Sequence, residues 1–197
     1  MRRGYAADAD DASGASGAKK TGRLLFDSGE RGDVDGLGEL DRNLGRAHGD
    51  GGSTIHELLD LVRDNHSSKA FGPISVMIAY MRLQGFLTRG SSKDRIGKHR
   101  AHPAFALLGE ATVRFAPVMD ASAVSKSIFV SGRMAIRGVP VHVHGVQALS
   151  AEVVRVAPQM SGTELTHTLG GWQNLAERKG LLVPPAAFEA GRCRLDR

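Results

Sequence analysis

The chain has 197 residues, 41% hydrophobic and 5% aromatic, with a formal charge of +5 and a pI near 9.7; that is room for one domain plus an extension, and the basic balance fits a nucleic-acid partner without requiring one. The single cysteine, Cys193, excludes an internal disulfide framework and any zinc site built from cysteines. No apolar run is long enough to span a bilayer, and Met1-Arg2-Arg3 leads into no apolar stretch, so neither membrane insertion nor a secretory signal is expected.

Residues 1–52 hold twelve of the 25 glycines, with many Asp, Ala and Ser. Such a segment buries too little apolar surface to offset its ordering entropy, so it reads as an extended arm that a neighbouring subunit would have to hold. Leu37, Leu40 and Leu44 predict one short helix near 37–46. The early acids Asp8, Asp10 and Asp11 argue against a mitochondrial transit peptide. Gly14-Ala15-Ser16-Gly17-Ala18-Lys19-Lys20 lacks both the glycine spacing and the preceding strand of a phosphate-binding loop.

From residue 53 the pattern is helical. Ser53 or Thr54 can cap a helix carrying Ile55, Leu58, Leu59 and Val62. A second helix carries Phe71, Ile74, Ile78 and Met81, with Pro73 in its first turn and an end at Gly85. Residues 86–103 read as a basic connector containing Arg89, Lys93, Arg95, Lys98 and Arg100. Further helices are predicted over 104–115, 121–137, 147–157 and 162–179. Residues 184–197 form a short basic tail.

Sliding the chain against itself shows internal similarity. Val113-Arg114-Phe115-Ala116-Pro117-Val118-Met119 matches Val154-Arg155-Val156-Ala157-Pro158-Gln159-Met160 at an offset of 41, and Gly138 pairs with Gly180 after a one-residue slip. A weaker copy at an offset of 53 pairs Ile55 with Leu108, Phe71 with Val124, Met81 with Met134 and Gly85 with Gly138. Three copies over 53–183, each a helix, a turn and a helix, predict an all-α fold of helical-hairpin repeats, a short α-solenoid, because one hairpin cannot bury its apolar face without a stacked neighbour.

The second helix of each copy resembles a known repeat type. Trp172, Ala176, Lys179 and Gly180 in copy three, Met134, Ala135, Arg137 and Gly138 in copy two, and Tyr80, Met81, Leu83 and Gly85 in copy one are similar to the octotricopeptide and heptatricopeptide repeats of RAP-domain and FAST-kinase-like organellar RNA-binding proteins. The resemblance implies RNA association and a mitochondrial setting. With so few copies it implies a structural subunit of a ribonucleoprotein, such as a mitochondrial ribosome contacting rRNA, rather than a reader of one base per repeat. The alternative is a protein-binding scaffold subunit of another organellar complex, since helical repeats also bind proteins.

Catalytic chemistry is not expected. His142-Val143-His144 could ligate metal on a strand but lies between predicted helices without a nearby carboxylate, and no metal or cofactor is expected. No nucleophile-elbow motif marks a serine, and Cys193 sits in a basic run without a signature. Trp172 reads as core. The candidate RNA-binding residues are Arg89, Lys93, Arg95, Lys98 and Arg100 in the connector, with Arg133, Arg137, Arg178 and Lys179 at the ends of second helices. Arginine pairs its planar fork with phosphate. The helix-end cations have a purely structural reading too, because they complement the helix dipole.

Overall fold

The computed structural model describes residues 38–46, 54–88 and 98–181, all within the compact unit Asp35–Arg197. The arm up to residue 37, the middle of the basic connector and the C-terminal tail lie outside the described residues. Among the described residues seven α-helices are fully bounded, in order: α1 (Glu39–Arg46), α2 (Ile55–Asn65), α3 (Pro73–Thr88), α4 (Ala104–Phe115), α5 (Ala121–Ile136), α6 (Val143–Val156) and α7 (Gly162–Lys179). There is no strand among the described residues, so the fold is all-α.

Local chemistry sets the helix ends. Thr54 and Glu57 form a reciprocal capping box at the start of α2, and Ser161 and Glu164 form another at α7. Asp120 caps α5 by accepting the Ala123 N–H at 2.7 Å. Both Ala-Pro pairs make one 3-10 turn, Ala116–Val118 after α4 and Ala157–Gln159 after α6. Each turn delivers an almost fully buried methionine, Met119 or Met160, in extended conformation just before the next cap. α5 and α7 close at Gly138 and Gly180, which take left-handed φ values of 66° and 62°.

The structure revises two predicted boundaries. α3 does not end at Gly85 but continues to Thr88, because Phe86 and Leu87 prolong its apolar pattern and Leu87 is buried. Gly85 therefore lies inside a helix whereas Gly138 follows one. Likewise Phe71 precedes α3 while Val124 lies within α5, so the pairings predicted at an offset of 53 do not hold for these residues. α6 starts at Val143 rather than near 147, because the His142 side chain caps it, its Nδ1 accepting the Gly145 N–H at 3.1 Å.

The helices pack chiefly on the next helix but one. α1 lies on α3, α3 on α5 and α5 on α7, while α2 lies on α4 and α4 on α6. Two rows result, with the core between them. Parallel running within a row follows from the cross-helix pairs. Ser125 meets Glu164, Phe129 meets His167 and Gly132 meets Gly171 between α5 and α7. Backbone contact is closest at that crossing: a Cβ on Gly132 would stand 2.6 Å from the Gly171 carbonyl oxygen, and one on Gly171 would stand 2.7 Å from the Ile128 carbonyl oxygen. Buried polar bonds cross between the rows, from Trp172 Nε1 to Ser150 Oγ at 2.8 Å and between Tyr80 Oη and Thr112 Oγ1 at 3.3 Å. Trp172 is therefore core, with its one polar atom satisfied. Burial pushes the Tyr80 phenol above its ordinary value, against the opposing hydrogen bonds from Thr112 and Ser131.

Candidate nucleic-acid interface

The two-row packing sorts the cations onto two edges. On one edge lie the starts of α2, α4 and α6 and the ends of α5 and α7. Arg100, just before α4, donates from Nη2 to the Arg137 carbonyl at the end of α5 at 3.4 Å, which sets the start of α4 on the same edge as the end of α5. Lys98, Arg100, Arg178 and Lys179 are exposed on this edge, and Arg137 is half-buried. Arg133 is half-buried one turn before the end of α5, its guanidinium 5.6 Å from the Phe129 ring centre. That ring stacks on His167 of α7 at 4.5 Å. Of the predicted contact residues, Arg89, Lys93 and Arg95 lie outside the described residues.

Arg100, Arg133, Arg137, Arg178 and Lys179 sit at helix C-terminal ends, where cations meet exposed carbonyls and the negative end of the dipole. Arg100 is the strongest such case, since its side chain bonds a terminal carbonyl directly.

The opposite edge carries arginines that the sequence reading left without a role. Arg114, in the last turn of α4, donates to the His66 carbonyl in the turn after α2. Arg155, its counterpart at an offset of 41, donates from Nη2 to the Met119 carbonyl at 2.8 Å and from Nε to Glu152 at 2.6 Å. Arg114 thus ties the end of α4 to the turn after α2, and Arg155 ties the end of α6 to the turn after α4. Their shared position in the repeated Val-Arg-x-Ala-Pro-x-Met segment was the available signal.

Three imidazoles and one carboxylate gather near the start of α2. His56 Nε2 is 3.2 Å from Asp60 Oδ2, and His102 Nε2 is 3.4 Å from Asp60 Oδ1. The His99 ring centre is 5.5 Å from that of His56. Desolvation, then the neighbouring His56 and His102, hold the His99 imidazole below its ordinary value, with Asp60 opposing.

No protein-family model, no curated protein and no solved structure matches the chain. No helix among the described residues is long and apolar enough to cross a membrane.

Proposed function

We propose that the chain is a helical-hairpin repeat protein serving as a non-catalytic, RNA-associated structural subunit of a ribonucleoprotein, in a setting such as the mitochondrial ribosome. The observation that carries this reading is the cation edge: Lys98, Arg100, Arg137, Arg178 and Lys179 converge there from three separate segments. A stacked arrangement of the hairpins α2–α3, α4–α5 and α6–α7 is part of the reading. It draws on the next-but-one packing and on the agreement of α4 to α7 with the offset of 41. The polar outer residues of α7, Thr163, Thr166 and Gln173, suit the end of such a stack. The mitochondrial setting rests on the family resemblance alone.

The test is RNA binding by the full chain at several salt concentrations. Replacing Lys98, Arg178 and Lys179 with alanine is expected to weaken binding and to lower the log–log salt slope by about 2, at roughly 0.7 per lost phosphate contact to single strands. An unchanged slope would remove this edge from RNA contact. A second reading, a protein-binding scaffold in another organellar complex, is favoured by exposed apolar side chains at the turn edge. These are Val118, 69% exposed, with Val113, Val154 and Ile74. Under that reading the triple variant leaves assembly intact, while polar replacement of Val113, Val118 and Val154 disrupts it.

A further inference from the structure

The fold assembles one cluster that the sequence hides. His56 and Asp60 are one helical turn apart on α2 and so share a face. His102 approaches the same carboxylate from the segment leading into α4. One nitrogen from each histidine and one oxygen from Asp60 lie within 4.8 Å of one another. His99 adds a flanking imidazole, 5.5 Å from His56 between ring centres. Asp60 Oδ1 is shut off from solvent and accepts no hydrogen bond. Its neighbour Arg63 Nη1, 2.7 Å away, pairs with it by charge but without hydrogen-bond alignment. That oxygen lies between imidazoles from two elements, with His102 Nε2 3.4 Å away, and its present cation is a side chain that a metal ion can displace.

We propose that His56, Asp60 and His102 form a binding site for a divalent first-row transition-metal ion, of which zinc is the leading candidate. Two imidazoles and a carboxylate are the donor set zinc accepts, with positions left for water or for His99. Calcium and magnesium are poor matches, because they take oxygen ligands. The other close histidine pair, His142 and His144, has ring centres 5.9 Å apart but finds no third ligand among the described residues, and His142 Nδ1 is engaged in capping α6.

Binding displaces two groups, and both report on it. The His102 Nδ1 accepts the Ala104 N–H at 3.2 Å. A metal on Nε2 places the ring proton on Nδ1, so the Ala104 amide loses its acceptor. Arg63 must yield Asp60 to the metal, while it keeps Asp64, where its Nε donates to Oδ1 at 2.7 Å. The ion would fasten the start of α2 to the end of the basic connector and hold Lys98 and Arg100 in place on the cation edge.

The experiment titrates the full chain with Zn²⁺ by calorimetry, with Co²⁺ absorption as a probe of coordination and with the Ala104 amide followed by NMR. One ion is expected per chain, with a shift of the Ala104 resonance. His56→Ala is expected to weaken binding at least ~10-fold, a loss typical even of groups that only support a ligand. His56 is an exposed residue whose loss should leave the helices intact, which circular dichroism checks. Arg63→Gln should tighten binding by removing a competing cation, and His144→Ala should leave it unchanged. The proposal is overturned if the chain takes up no Zn²⁺ at a concentration of about 100 μM, a dissociation constant corresponding to only ~5.5 kcal/mol. It is equally overturned if His56→Ala binds as the unaltered chain does, or if His144→Ala abolishes binding.

Discussion

The segments 104–139 and 143–181 are built alike and filled differently. Both have a helix ending in a 3-10 Ala-Pro turn, a buried methionine, a capped second helix and a left-handed glycine at its close. Both carry an arginine that donates to a carbonyl of the preceding turn. The interiors diverge. At the position of Trp172, bonded to Ser150, the other segment has Ser131 with Gly109 at the partner position; at the position of Thr168 it has Ser127. The frame is therefore set by turn geometry and backbone acceptors, while the volume between rows is filled by whatever side chains fit.

Five substitutions and one matched control test that separation of frame from filling. The largest effect is expected at the α5–α7 crossing. Gly171→Ala drives a Cβ to 2.7 Å from the Ile128 carbonyl oxygen and to 2.9 Å from the Ile128 side chain, so the helices must move apart. A loss of about 3 kcal/mol is expected, at the upper end of overpacking costs, read as a fall in thermal midpoint. Gly170→Ala meets nothing within 4 Å and is the matched control; it is expected to be neutral or to stabilise by up to ~1 kcal/mol.

Trp172→Phe keeps one aromatic ring but removes the five-membered half of the indole with its Nε1 donor, leaving the buried Ser150 hydroxyl without it. A cost of about 1–2 kcal/mol in urea unfolding is expected from the lost bond and the stranded group. Arg155→Ala and Arg114→Ala are expected to cost about 1 kcal/mol each, as hydrogen bonds from charged groups discounted for partial exposure. A clear difference between these two would show that the shared arginine does not serve one purpose in both segments.

The smallest effect has the opposite sign. Ser127 Oγ is buried without a hydrogen-bond partner, whereas its counterpart Thr168 donates to the Glu164 carbonyl at 2.9 Å. Ser127→Ala is expected to be neutral or to stabilise by up to ~1 kcal/mol, because it removes an unsatisfied polar group. Destabilisation by Ser127→Ala would mean that its hydroxyl has a bonding role in the fold.

Much of the helical pattern was legible in the sequence. The end of α4 follows from Pro117 and the start of α5 from Asp120, and both bounds of α7 follow from Ser161 and Gly180. These residues act locally, so a linear reading finds them. Gly85 misled because glycine also occurs within helices, and only Leu87's burial against distant elements decides between the two. His142 was missed as a cap because a histidine serves that role only when its Nδ1 is turned to the backbone. The candidate interface was legible in residue type, not in placement: nothing local says that Arg100 bonds the end of α5 or that Arg114 reaches the turn after α2. The His56–Asp60–His102 cluster was illegible for the same reason, since its halves are more than forty residues apart and join only when α4 lies against α2.

The next-but-one packing has a consequence during synthesis. As the chain emerges from its N-terminal side, each helix of the α3–α5–α7 row waits for the helix two places later to cover it. Until α7 has been made, one flank of α5 is left bare around Ile128 and Gly132. A product terminated after α6 would therefore present a sticky intermediate rather than a smaller stable fold.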